Sequence, residues 1–301
     1  MKYKLFRLSL ATMALFSVSH LAAQEPDLLS LVGTDKPKKE IVKNAFKSPR
    51  VINGQSMEFL RPGTMDFRIL HRFGQLDQGY KNFFGLDQAS MRMGFDFGIL
   101  KNLMVGIGRS TYKKEVDAYF KYAPFLQSTG KGAFPFTIAL VSGITMDGLP
   151  WADPERQNFF TSRLGYFFQM IVGRKITEGF TLQLTPTLVH QNLIQLATDS
   201  NDVFALGVGG RLRLSRRVSL TWDFFHVYNP FKDNAYTDPL SVGFDIETGG
   251  HVFQLHFSNS SGMNERAFIT ETTGRWDKME IRFGFNLSRI FQLKKKKTTR
   301  Q

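Results

Sequence analysis

From about residue 51 to residue 291, apolar side chains recur at every second position. That period, held over segment after segment, restricts the chain to β-strands with one apolar and one polar face. In 65–73, Met65, Phe67, Ile69, His71 and Phe73 share one side, while Asp66, Arg68, Leu70 and Arg72 share the other. In 218–228, Val218, Leu220, Trp222, Phe224 and Tyr228 oppose Ser219, Thr221 and Asp223. In 279–288, Met279, Ile281, Phe283, Phe285 and Leu287 oppose Glu280, Arg282, Gly284, Asn286 and Ser288. The alternation delimits twelve strands, at 64–73, 89–98, 103–111, 114–123, 135–146, 160–174, 180–191, 202–214, 218–229, 240–248, 251–259 and 279–291. Residues 51–60 are a candidate for one more, joined to the first by Arg61-Pro62-Gly63, which sets the range at 12–14.

The connections carry independent information. Those at 74–88, 147–159, 192–201, 230–239 and 260–278 are long, and those at 99–102, 175–179, 215–217 and 249–250 are short. They alternate along the chain, with 112–113 and 124–134 as exceptions, as in bacterial barrels with long outer loops and short periplasmic turns. Strands of ~10 residues tilted by ~40° reach about 25 Å, the height of an outer-membrane apolar band. Many of the 30 Phe residues fall on the apolar face near strand ends, as aromatic girdles do. A soluble β-sandwich also alternates but needs neither feature. The expected fold is therefore all-β, a transmembrane antiparallel up-and-down β-barrel of about twelve strands in the outer membrane, in contact with its lipids.

The ends of the chain read differently. Lys2, Lys4 and Arg7 precede an apolar run from Leu8 to Val18 and the small residues Ala22 and Ala23, the pattern of a secretory signal over residues 1–23. Residues 24–50 are polar and Lys-rich and read as a periplasmic arm, with a short helix around Glu40–Phe46. The barrel is assigned to 51–293 and a basic tail to 294–301. Much of the net charge of +13 lies in Lys2, Lys4, Arg7, Lys294–Lys297 and Arg300, so it belongs to the ends. No nucleic-acid motif occurs, and an exported chain excludes nucleic acid as a partner. With no cysteine there is no disulfide framework and no thiolate metal site. The six histidines show no metal-ligand spacing, and no cofactor is expected.

Parity assigns the lumen. Asp66, Arg68, Arg72, Arg92, Asp96, Arg163, Arg211, Arg213, Asp223, Asp245, Glu247, Glu280 and Arg282 are expected to point inward. Charges do not stay unpaired in a dry interior. Either water fills the barrel and makes a pore, or Arg–carboxylate ladders brace it shut, and the narrow water-containing pore is the favoured expectation. Glu265 and Arg266, in the 19-residue connection 260–278, are candidates for a constriction at its mouth. Gly106, Gly108, Gly207, Gly209 and Gly210 lie inside strands, where glycine marks bends or close approaches.

The strings Phe84-Gly85-Leu86-Asp87-Gln88-Ala89-Ser90 and Leu103-Met104-Val105-Gly106-Ile107-Gly108-Arg109-Ser110 carry a resemblance. So do Trp151-Ala152-Asp153-Pro154, His251-Val252-Phe253-Gln254-Leu255 and Arg282-Phe283-Gly284-Phe285-Asn286-Leu287-Ser288. Together, over about 45–291, the chain resembles a domain-of-unknown-function family of outer-membrane β-barrels of Bacteroidota. The resemblance implies fold and compartment and transfers no activity to any residue. Separately, His256-Phe257-Ser258-Asn259 looks like the His-x-Ser-Asn segment of outer-membrane phospholipases and lipid A deacylases. There a histidine activates a serine hydroxyl toward an acyl ester. Here both side chains fall on the lumen face, away from lipid, so the chain is expected not to be an enzyme. The expected function is a narrow channel for small polar solutes. The alternatives are a barrel that anchors a periplasmic or extracellular partner and, last, a lipid-modifying hydrolase.

Overall fold

The computed structural model describes residues 38–232 and 235–293. The signal segment, the arm up to residue 37 and the basic tail fall outside them. In chain order the strands are β1 (Glu40–Ile41), β2 (Thr64–Gln75), β3 (Ala89–Leu100), β4 (Leu103–Ser110), β5 (Val116–Phe125), β6 (Ser128–Thr129) and β7 (Thr137–Met146). They continue as β8 (Leu164–Lys175), β9 (Phe180–Gln191), β10 (Asp202–Arg213), β11 (Val218–Val227), β12 (Leu240–Thr248), β13 (His251–Ser258) and β14 (Arg282–Gln292). One short α-helix spans Glu265–Thr270.

All except β1 and β6 form one closed barrel of antiparallel neighbours. Each strand pairs with the next, and β14 closes on β2 from Gly284–Arg72 to Gln292–Thr64. Closure leaves no unpaired edge, the condition under which β-structure crosses hydrocarbon. No helix among the described residues is long and apolar enough to cross a membrane.

Each expected wall strand is present, with its ends shifted by a few residues. The largest shift is at β8, which starts at Leu164 because Phe160–Arg163 turns as a 3-10 helix. β14 starts at Arg282 because Trp276–Lys278 turns likewise and Met279 takes a left-handed backbone, φ 59°. In β2 burial alternates without a break, with Asp66, Arg68 and Arg72 inside. Outward residues such as Phe95, Ile107, Phe168, Leu184 and Phe204 are exposed, which is the lipid-facing set.

Two expectations near the amino terminus fail. Glu40–Ile41 is not helical but pairs antiparallel with Ser128–Thr129, since the 126–136 connection offers a free edge there. Residues 51–60 do not extend the wall, which begins at Thr64; they are buried inside the barrel.

The hydrophobic core accordingly lies within the barrel. Inward Val141, Phe167, Ile171, Val189, Val203 and Phe225, from β7 to β11, pack against Phe46, Val51 and Met57 of the amino-terminal segment and against Phe268 and Ile269. The opposite half of the wall, β2 to β4 and β11 to β14, presents most of the charged side chains, such as Asp66, Arg68, Arg72, Arg92, Asp96, Asp223 and Asp245. Two inward glycines serve this filling. A Cβ on Gly108 would sit 2.2 Å from Arg92 Nη2, and one on Gly207 would sit 2.4 Å from the Phe225 ring. Both therefore make room for a neighbouring lumen side chain.

Candidate functional site

The lumen is occupied from both ends by the chain itself. The amino-terminal segment enters at the end that carries the short turns, where Val42 N donates to Gln127 O at 2.9 Å. It reverses deep inside and leaves at the same end, where Gly63 N meets Gly98 O at 2.8 Å. The reversal is a tight turn. Arg50 and Gln55 bridge, and Val51 N donates to Gly54 O at 2.8 Å. At its tip three successive amides, of Ile52, Asn53 and Gly54, converge on Asp223 Oδ2 at 3.2, 2.7 and 2.9 Å. Such an amide cluster is an anion cradle, and the carboxylate on β11 fills it.

Other wall residues hold the rest of this plug. Gln183 accepts from Met57 N at 2.9 Å and donates to Gln55 O at 2.7 Å. Arg72 donates to Asn53 Oδ1 at 2.7 Å, and Arg68 to Ser48 Oγ at 2.8 Å. Lys121 donates to Glu58 O at 2.8 Å. Arg211 donates to Asn44 O and Ala45 O, both at 3.1 Å.

From the other end, residues 259–273 fold inward. Asn264 caps the short helix, accepting from Ala267 N at 2.9 Å. The helix presses Phe268 edge-on to Phe225, centroids 5.1 Å apart. Glu265 points to the plug and accepts from Arg50 Nη1 at 2.9 Å and from Gln55 Nε2 at 3.0 Å. Both members of the Arg50–Glu265 pair are almost fully shielded from solvent. Arg266 points the other way, with Nε 2.6 Å from Glu115 Oε1 and Nη1 2.5 Å from Glu271 Oε1.

Of the residues assigned to the lumen, Asp66, Arg68, Arg72, Arg92, Asp96, Arg211, Asp223 and Asp245 lie buried there. Arg68 pairs with Asp66 and Asp96, and Arg92 with Asp117. Asp245 accepts from Gln254 at 2.6 Å. Arg282 is half-buried at the long-loop end, and Glu247 pairs with plug Lys47 at the short-turn end. Three do not join them. Arg163 precedes β8 in the 3-10 turn, so strand parity does not govern it, and it stacks 3.8 Å from the Trp151 ring centroid. Arg213 ends β10 and is exposed. Glu280 lies before β14 in the loop and accepts from Arg275 N at 3.0 Å. Glu265 and Arg266 do lie in the barrel mouth, within a buried ion-pair network, and Arg266 also borders a cavity at the long-loop end. The lumen, expected as a narrow pore, holds the amino-terminal segment and residues 259–273.

Sequence reasoning missed Arg50, Asn53, Asp117 and Glu115. Asn53-Gly54 is a strong turn dipeptide, and it marks the plug's reversal. Asp117 shares parity with buried Tyr119 and Lys121. His256 and Ser258 are buried beneath the plug tip. Ser258 Oγ accepts from Ser241 Oγ at 2.9 Å, and His256 Nε2 faces Arg72 at 3.3 Å. Among the described residues His256 Nδ1 has no partner, so no carboxylate orients that ring. No group of three or more His, Cys, Asp or Glu among the described residues is placed to hold a metal ion.

A polar cavity of about 540 Å³ opens at the long-loop end, lined among others by Tyr112, Lys113, Arg156, Arg163, Arg266 and Glu271. Glu271 accepts from Tyr112 Oη at 3.0 Å and Lys113 Nζ at 2.6 Å, as well as from Arg266. Burial alone would raise its carboxyl, but Arg266 and Lys113 outweigh that and hold it at about 2. Glu271 thus stays ionised at any physiological pH.

A family model described as a membrane-bound β-barrel domain, DUF5777, matches residues 46–291. No curated protein matches the chain. Among solved structures it is similar to a NanC porin, at 8% identity, 75% of this chain, 98% of that one and TM-score 0.46. It is also similar to LpxR from Salmonella typhimurium, at 10% identity, 76% of this chain, 100% of that one and TM-score 0.35. A third is the monoaromatic hydrocarbon channel CymD, at 7% identity, 77% of this chain, 89% of that one and TM-score 0.35.

Proposed function

We propose that this chain, which belongs to the DUF5777 family of membrane-bound β-barrel domains, is a plugged outer-membrane channel that passes small polar solutes when the plug tip leaves its seat. The observation that carries this reading is the charge buried between plug and wall. Ion pairs in a dry interior contribute little net stability, and apolar residues of similar volume usually serve as well or better. A lumen built only to be solid gains nothing from Arg72, Asp223, Arg50 and Glu265 at its centre. A lumen that is dry when shut and wet when open needs such groups, because water and a polar solute take over their partners.

Separation of Arg50 from Glu265 is the first step of opening in this account. Arg50→Glu sets a second carboxylate against Glu265 and removes its ion-pair partner. Breaking a buried pair costs about 3–5 kcal/mol, so open events should become more frequent by about a hundredfold or more. Single-channel recording in planar bilayers checks this, with rare steps in the wild type and frequent ones in the variant. Silence from both folded barrels would favour the other reading, a barrel that anchors a partner. That reading draws on the apolar half of the lumen, where Phe46, Val51 and Met57 are packed as firmly as any core.

A further inference from the structure

We propose that the cavity at the long-loop end binds a small solute through an oxyanion, a carboxylate or a phosphate, held by Arg266, Arg156 and Lys113. Its volume, about 540 Å³, falls in the range of small-molecule sites. Arg266 is buried, and although Glu115 and Glu271 take its Nε and Nη1, its Nη2 has no partner among the described residues. A buried charged donor left unmade is costly, and a ligand oxygen in the cavity would satisfy it. Arg156 lines the same cavity, and its guanidinium has no hydrogen-bond or ion-pair partner among the described residues. Lys113 reaches the cavity floor from the turn between β4 and β5, where it and Lys114 both hold left-handed backbones, φ 51° and 49°. Asn-Gly fits such a turn with least strain, so the two lysines hold a conformation that their side chains disfavour.

Charge selects the ligand class. Lys113, Arg156, Arg163 and Arg266 line the cavity against only Asp147 and Glu271, so it attracts an anion and repels a cation. Arg163 is already committed to the carbonyls of Asp147 and Leu149 and to the Trp151 face, which leaves it as a fixed wall. Gln191 and Ser162 offer hydrogen bonds to the hydroxyls of a sugar-sized body. Arg266 directly follows Glu265, the residue that clasps Arg50. An oxyanion that draws Arg266 away from Glu271 therefore moves the turn that latches the plug. This coupling rests on the plugged-channel reading, whereas the binding does not.

The test uses full-length protein in detergent micelles, titrated with D-glucuronate, inorganic phosphate and glucose. Tryptophan fluorescence is followed, because Trp151 lies against Arg163. A saturable change with glucuronate, with phosphate or with both is expected, and none with glucose. The anion that responds assigns the carboxylate or the phosphate as the recognised group. Arg156→Gln changes an exposed side chain, keeps the fold and should weaken binding about tenfold or more, the worth of one charge-assisted bond. No response to either anion, an equal response to glucose, or unchanged affinity in folded Arg156→Gln would overturn the site. Binding without current removes the channel and keeps this site. Current without binding does the reverse.

Discussion

Deleting residues 44–59 should turn a nearly silent barrel into one with steady conductance, larger by on the order of tenfold or more. Eight strands enclose a space that wall side chains alone fill, and twelve enclose more. Here the surplus is taken up by the plug and by residues 259–273. Without the plug, Asp223, Gln183 and Arg72 lose their plug partners, and water should take that place. The twelve-strand hydrogen-bond ladder does not depend on the plug and should persist. Burial of Phe46, Val51 and Met57 is lost, at roughly 1.5–3 kcal/mol each, so the deletion barrel should unfold at lower temperature. Further removal of 263–273 should raise the conductance again. A deletion barrel that folds, shows its heat-modifiable band and carries no more current than the wild type would contradict the account.

Asp223→Ala should unseat the plug without opening a gap in the wall. Its carboxylate takes three plug amides at once, more than any other wall side chain among the described residues. Losing this acceptor leaves three buried donors unmet, a cost of about 3–5 kcal/mol to the seated state. Trypsin provides the readout, since Arg50 lies within the plug and is shielded while it is seated, and Lys47 is partly so. When opening and closing are fast, cleavage tracks the open population, so cutting at these sites should rise by about a hundredfold or more. Thr187→Val is the control, because that hydroxyl bonds only Gln169 and Thr185 O within the wall. Its cutting rate should stay at the wild-type value.

The wall was legible from sequence because a barrel strand faces two solvents, lipid and lumen, and the two-residue period records both. Its parity placed Arg68, Arg72, Arg92 and Asp223 inside. Parity failed where the backbone leaves strand geometry, at Arg163 and at Glu280. It also hid the apolar half of the lumen. Phe225 and Phe167 point inward although they are as apolar as their lipid-facing neighbours, so apolar character alone did not separate the faces. The plug was not legible as a plug. Residues 45–57 mix Arg50, Asn53 and Gln55 with Phe46, Val51 and Ile52, because they meet a charged wall on one side and an apolar one on the other. That composition matches neither a wall strand nor a solvated arm. The Asn53-Gly54 dipeptide signalled a turn, but nothing local places a turn inside a barrel.

The most direct measurement of the plugged channel uses the absence of native cysteine. Asn53 Nδ2 lies 2.9 Å from Ser241 Oγ, joining the plug tip to β12. In an Arg50→Glu background, the pair Asn53→Cys and Ser241→Cys should cross-link on oxidation, and current through a single barrel is recorded before and after a reductant is added. The account predicts no steps while the link is intact and frequent steps once it is reduced. Equal current in both states, with the cross-link demonstrated on a gel, would mean that this segment is not the gate.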